Sequence, residues 1–262
     1  KARRVHANPP PATGSAPSLP TDNVEQGESA AFALMLDLPW QPDTEDTQDQ
    51  FRLAVHSTPW SSHVAFASPE GSGFEMRSRI EKRATIGFLK EGLGSGVSGR
   101  RDRSREITVE LLSGALESVS LAQLVNGANA AAVFSQAGVW EVLQFTTAEE
   151  TEPSVWRLGG LLRGQLGTDD AMQAGAPAGS GFVLLDQAVQ AAGLRAAEVG
   201  LERNWRIGPA GEAFGSTRFF QTQGTGGLRA LTPLSPVHLR ARETSTWCFA
   251  SSVSVSPELL NR

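Results

Sequence analysis

The sequence contains no tyrosine, one cysteine, three methionines and four histidines. The lone Cys248 excludes an internal disulfide framework and a cysteine-based zinc site. His6, His56, His63 and His238 form no H-E-x-x-H motif. His56 and His63 are separated by a proline at a spacing that does not suit a zinc pair, so these side chains read as ordinary surface histidines. No apolar run approaches the ~20 residues that span a bilayer, so no stable membrane insertion is expected. There is no G-K-[ST] and hence no P-loop. There is no G-x-S-x-G either; Ser180 sits in Ala178-Gly-Ser-Gly-Phe182, which is not a nucleophile elbow. Positive charge is in deficit, with 23 Lys+Arg against 28 Asp+Glu and a net charge of −5. A chain of that sign is a poor general nucleic-acid binder, and no specific nucleic-acid partner is expected.

What is present points to a folded, strand-rich chain. Its 262 residues are 40% apolar and 19% charged, enough to bury a sizeable core. Twenty-seven glycines and 15 prolines suit many short strands joined by turns better than a helical bundle. Residues 1–30 carry Pro9, Pro10, Pro11, Pro17 and Pro20 among small polar residues and read as an extended arm or linker. Lys1-Ala-Arg-Arg4 is basic, but the prolines stand where an apolar stretch belongs, so no secretory leader is expected there.

Strand signals recur from there. Ala31–Leu38 ends at Pro39, Phe51–His56 alternates with period two, and His63–Ala67 follows Pro59. Phe74–Arg83 is a charged strand candidate and Thr85–Leu89 a short apolar one. Beyond a glycine-rich loop, Glu106–Leu112, Trp140–Phe145, Val155–Gly159, Gly181–Asp186 and Arg203–Ile207 read as strands. Phe214–Phe220, Leu228–Leu231 and Val237–Ala241 are weaker candidates, and residues 187–200 are ambiguous. One helix is expected, where Ser120 and Gln123 make a capping box ahead of Leu121, Leu124 and Val125 and Asn126-Gly127 supplies a stop. Strands and helices do not alternate, which excludes a doubly wound fold. The reading is all-β: two linked barrel- or sandwich-like modules at 31–95 and 106–242, one short helix, the proline-rich arm, and a tail at 243–262.

Chemical motifs are sparse. Gly94-Ser-Gly-Val-Ser-Gly99 matches G-x-G-x-x-G, but a strand follows where a dinucleotide site needs a helix, so it reads as a flexible loop. Asp43, Glu45, Asp46 and Asp49 lack the glycine and glutamate spacing of a calcium loop and read as a solvated acidic loop. No catalytic, cofactor or metal residue is assigned. Two features remain as candidate partner contacts. Arg77, Arg79, Lys82 and Arg83 lie near Arg100, Arg101, Arg103 and Arg105 in sequence; paired across the glycine-rich loop they would form a positive patch. That patch is either a solvated edge or an electrostatic interface. Of the six tryptophans, Trp40 and Trp60 follow prolines in loops and suit partner or sugar contact, while Trp140, Trp156 and Trp205 lie in strands and suit a core.

Several strings, taken in order, resemble a known family. They are Leu36-Asp-Leu-Pro39, Leu124-Val-Asn-Gly-Ala-Asn-Ala130, Trp140-Glu-Val-Leu-Gln-Phe145, Leu158-Gly-Gly-Leu-Leu-Arg-Gly-Gln-Leu-Gly-Thr168, Gly181-Phe-Val-Leu-Leu-Asp186, Gly200-Leu-Glu-Arg-Asn-Trp-Arg-Ile-Gly-Pro-Ala210 and Leu234-Ser-Pro-Val-His-Leu-Arg-Ala-Arg242. Across roughly residues 34–242 they resemble the C-terminal part of the baseplate hub (megatron, or host-specificity) protein of alphaproteobacterial gene transfer agents and related siphophages. The resemblance implies a virion tail-tip component made in the bacterial host cytoplasm, trimeric beneath the tail tube, and without enzymatic activity or cofactor. Its implied partners are the distal tail protein, other hub subunits, the remainder of the megatron, and a host-surface glycan or receptor. A glycosidase-like barrel occurs elsewhere in that family and is not matched here. After Arg242 the family pattern continues into fibronectin-like strands, whereas Glu243–Arg262 reads as unrelated, as in a shortened, split or frame-changed version. A receptor- or glycan-binding module is the alternative reading, and a glycan hydrolase the third.

Overall fold

The computed structural model describes residues 31–41 and 46–232. The expected arm, the strand at Val237–Ala241 and the tail at 243–262 lie outside the described residues. The chain is all-β, with three sheets in three layers.

A seven-stranded sheet closes into a barrel. Its strands are β5 (Ile86–Leu89), β6 (Asp102–Leu111), β7 (Ala130–Phe134), β8 (Trp140–Gln144), β9 (Thr147–Glu152), β10 (Val155–Gln165) and β11 (Gly181–Leu184). The order is β6-β5-β11-β7-β8-β10-β9, and β6 pairs with β10 as well, which joins the two ends. Closure leaves few strand edges to solvent. β9 prolongs β8 along β10, and β10 changes partner at a bulge between Gly159 and Leu161. Gly160 makes the corner with φ +61°, and a Cβ there would lie 2.0 Å from Thr146 Oγ1, so only glycine fits. Ile107, Val109, Val133, Leu143, Phe145, Trp156, Leu158 and Phe182 fill the barrel.

The second layer is a three-stranded sheet of β1 (Phe32–Asp37), β2 (Phe51–His56) and β12 (Gln190–Ala191). It is covered on both faces, and its period-two pattern shows why. Leu34, Leu36 and Ala54 meet the barrel wall at Ile86, Trp140 and Val142. Ala33, Phe51, Leu53 and Val55 face the third layer. That layer is a four-stranded sheet ordered β14-β13-β3-β4, made of β14 (Phe220–Gly224), β13 (Arg203–Pro209), β3 (His63–Ser68) and β4 (Glu75–Ile80). Trp205 and Ile207 of β13 point inward to Phe51 and Leu53. Burying each such side chain contributes ~1.5–3 kcal/mol. Trp140 Nε1 donates to Met35 O across the first interface at 3.0 Å.

The division expected between residues 95 and 106 runs through the barrel, since β5 pairs with β6 across it. The two outer layers combine segments from before and after the barrel: β2 with β12, and β3 with β13. The chain is therefore a layered sandwich with a barrel inserted between β4 and β12, rather than two modules in sequence. Linear composition carried no mark of this because the strands that pair are more than a hundred residues apart.

The expected helix is present as α1 (Leu121–Val125), with its capping box formed by Ser120 and Gln123. Only Leu124 is buried, and Leu121 and Val125 face outward. A second helix, α2 (Asp169–Ala174), was not expected; Asp169 and Asp170 occupy its first turn, where carboxylates favour the helix dipole. Residues 228–231 form a 3-10 turn at Arg229–Leu231 instead of a strand. Residues 187–200 divide into β12 and a 3-10 turn at Ala196–Glu198. Most of Phe214–Phe220 is loop, and its strand begins only at Phe220. Asp37 accepts the N–H groups of Gly227 and Arg229 at 2.9 and 3.1 Å, and Arg229 Nη1 reaches Asp170 of α2 at 2.8 Å, so one arginine ties the outer layers to the barrel.

Candidate functional site

The two basic segments do not pair across the glycine-rich loop. Arg77 and Arg79 lie on β4, at the edge of the four-stranded sheet, and β4 pairs with β3. Arg100 and Arg101 precede β6, which pairs with β5 and β10. Several of the charges are also neutralised. The Arg77 side chain is buried and its Nη2 sits 2.7 Å from Glu198 Oε1. Burial alone would raise the Glu198 pKa, but the Arg195 N–H and the Arg77 guanidinium outweigh it and hold that carboxyl below its usual range. Arg79 pairs with Glu81 at 2.5 Å, and Lys82 donates to Gln187 at 2.8 Å. Arg83 and Arg100 are exposed and Arg101 is half-buried.

The loop tryptophans behave differently from each other. Trp40 is 43% exposed. Trp60 packs against the core between the outer layers and stacks on His63 at 5.0 Å, so it is a packing residue and not a projecting anchor. Trp140, Trp156 and Trp205 are buried, as their strand positions imply. His56 and His63 are buried, not at the surface. His63 Nδ1 lies 2.6 Å from Ser61 O. His56 lies 3.2 Å from Ser113 Oγ and 3.4 Å from Thr58 Oγ1. Burial, assisted by the nearby Arg83 charge, lowers its pKa to about 4, so it is neutral at pH 7.

The glycine-rich loop, expected to be flexible, is pinned at its first half. Leu93 and Ala176 exchange hydrogen bonds at 2.7 and 2.8 Å, and Arg105 donates to Ser95 O. Beneath it lies an ion pair inside the end of the barrel. Arg163 of β10 binds Glu141 of β8 through Nε at 2.5 Å and Nη2 at 2.7 Å, with both side chains buried. Arg163 Nη1 then donates to Gly94 O at 3.2 Å, and Glu141 Oε1 accepts the Gly164 N–H at 3.2 Å. Every nitrogen of the guanidinium is used, so this pair closes the barrel end and offers nothing to a ligand.

The arrangement best suited to a ligand lies on the outer face of the four-stranded sheet. Alternation puts Trp205 and Ile207 inward, and so Asn204 and Arg206 outward. Asn204 stands opposite Gln223 and Arg206 opposite Gln221. On the other side, Arg206 stands opposite Phe66. The chain after β13 folds back over this face, and Gly208 makes room: a Cβ there would lie 2.5 Å from the Phe219 ring. Phe214 packs edge-on against Phe66 at 5.2 Å and beside Phe74 at 5.3 Å. The Arg206 guanidinium carbon lies 4.2 Å from the centre of Phe214, 5.6 Å from Phe219 and 6.0 Å from Phe74. Rings at these distances hold a cation through their quadrupoles without neutralising its charge.

Arg206 makes no ion pair with any carboxylate among the described residues. It lines an open groove of about 430 Å³ together with Gly71, Phe74, Asn204, Gln221, Thr222 and Gln223. The Asn204 side chain fixes one lip: it donates to Pro69 O at 3.2 Å and accepts from Gln223 at 2.9 Å. In the sequence, Asn204 and Arg206 lie in a strand pattern that marks no site, because the rings that hold Arg206 come from Phe74 and from the loop around Phe214. The outward arginine beside the inward Trp205 was the available signal.

A family model described as Rcc01698-like, C-terminal, matches residues 84–183. This family is related to the gene transfer agent of Rhodobacter capsulatus, and the match points to a structural protein related to such agents and to phages. No curated protein matches the chain. The matched span begins two residues before β5 and ends within β11, so it coincides with the closed barrel.

Proposed function

We propose that this protein is a non-enzymatic structural component of the tail tip of a phage-like particle, built into its baseplate hub. The observation that carries the reading is the coincidence of the family match with the barrel: the matched residues are a complete structural unit, not a fragment of one. Exposed apolar side chains support a life in an assembly. Leu121 and Val125 share one face of α1 at 53% and 73% exposure, and Leu228 precedes and Leu231 ends the 3-10 turn at Arg229–Leu231, at 52% and 56%. Such side chains are what the buried centres of subunit interfaces are made of. In this reading the chain packs around a threefold axis below the tail tube, against the distal tail protein, hub subunits and the remainder of the megatron, and serves attachment and DNA delivery. Closed symmetry uses each of these contacts once per subunit.

Cryo-electron microscopy of purified tailed particles tests it. The expected result is density for the barrel in threefold arrangement beneath the tail tube. Density confined to a peripheral appendage, or none in the particle, overturns the hub assignment. The groove at Arg206 favours a second role for the same subunit, contact with the host surface.

A further inference from the structure

We infer that the groove over β13 and β14 is a binding site for a carboxylate-bearing saccharide, with Arg206 as the residue that reads the carboxylate. Three features on one face define the ligand. The first is a guanidinium held by three aromatic rings and lacking a carboxylate partner among the described residues. A planar guanidinium takes a carboxylate through two parallel hydrogen bonds, and its fixed orientation lowers the ordering cost of binding. A single cation suits one carboxylate better than a doubly charged phosphate.

The second feature is neutral amide chemistry. Gln221 and Gln223 stand on β14 opposite Arg206 and Asn204, two cross-strand pairs on one face. Amides both donate and accept, as vicinal hydroxyl groups do. Carboxylates would be repelled from an acidic ligand and lysines would favour polyanions in general; neither lines this groove. The third feature is the Phe74 ring in the groove wall, an apolar surface against which the C–H face of a pyranose can lie. The volume of about 430 Å³ falls in the usual range of ~300–1,000 Å³ for small-ligand sites. An acidic protein segment would satisfy Arg206 but would make no use of the exposed Gln221 amide beside it.

The test is calorimetric titration of the full chain with tetramers of galacturonate, glucuronate and mannuronate, each beside its neutral methyl ester, and with a tetraglutamate peptide. The expected result is binding of at least one acidic tetramer, with its ester weaker by about tenfold or more. Arg206→Gln should lower affinity for the acidic tetramer by about tenfold and abolish the preference over the ester, while Gln221→Ala should weaken both by about threefold. Should Arg206→Gln fail to fold, Arg206→Lys keeps the charge without the planar fork and should still lose the preference. Absence of binding to all three acidic tetramers, equal binding of acid and ester, or tighter binding of the peptide overturns the inference. Particle imaging and this titration read different properties, so either conclusion can fail alone.

Discussion

Replacing Glu141 with Gln removes the counter-charge of Arg163 while leaving the shape of the side chain almost unchanged. Both partners are essentially inaccessible, at 0% and 1% side-chain exposure, and the contact is bidentate at 2.5 and 2.7 Å. After the substitution the guanidinium keeps its bond to Gly94 O, but its charge has no compensation and no route to water. Losing one partner of a buried pair costs about 3–5 kcal/mol. Set against a total stability of ~5–15 kcal/mol, that is a large fraction. Arg163→Met should cost a similar amount because it strands the carboxylate. The double variant Glu141→Leu/Arg163→Met removes both charges, and its cost should fall well below the sum of the singles, to within about 2 kcal/mol of the starting protein. Urea unfolding followed by tryptophan fluorescence measures all three, and Trp140 is the neighbour of Glu141 in β8. Amide exchange at Leu93–Gly96 should accelerate in the singles, since the loop loses its anchor. If both singles cost less than about 1 kcal/mol, the pair behaves as a solvated surface pair and the barrel end is not closed as described.

Acid should destabilise the protein through His56. Its folded-state pKa of about 4 lies below the ordinary 6.5, so the unfolded chain takes up the proton first. The contribution is full above about pH 6.5 and falls as the pH drops toward 4, with a ceiling of about 3 kcal/mol. Thermal melts at pH 7 and 4.5 should differ less in His56→Gln than in the parent; equal differences would remove His56 as the cause. Trp60→Ala should cost about 3 kcal/mol by opening the core beside His63, whereas Trp40→Ala should change stability by less than about 0.5 kcal/mol. Chemical denaturation separates the two, and equal effects would contradict their different packing. Gly208→Ala should displace Phe219, cost about 1–3 kcal/mol and weaken ligand binding at Arg206; an unaltered melt would refute the tight approach of ring to strand.

Strand existence was legible wherever one face is buried. Phe51–His56 and Arg203–Ile207 alternate because each has a wet or barrel-facing side and a side packed on the middle of the sandwich. β9 left no such trace: Thr147-Ala-Glu-Glu-Thr-Glu152 is almost wholly exposed and is a strand only because β10 pairs with it. β7 carries no strand signal in the sequence because Ala131, Ala132 and Val133 are all buried, which erases period two. The two basic segments do not pair for a related reason. Nearness in sequence placed Arg77 beside Arg100, while the fold sends Arg77 to Glu198, a residue far along the chain that no local pattern could nominate. The groove was invisible for the same cause, since Phe74, Arg206 and Phe214 come from three segments.

The inserted barrel also dictates an order of events during synthesis. β4 ends at Ile80 and the next strand to join its sheet, β13, starts at Arg203, about 120 residues later. At ~5–20 residues per second the ribosome needs roughly 6–24 seconds to cover that distance. Throughout that interval the edge of β3 that pairs with β13, and the part of the Phe51 and Leu53 face that Trp205 and Ile207 cover, wait for their partners, while the barrel can already close because its first and last strands meet, Leu184 N–H bonding Thr85 O. The nascent chain thus carries a finished barrel beside unfinished strands. The interval in which those strands await β13 is when a chaperone, or a second nascent copy offering its own β13, would compete for the same edge.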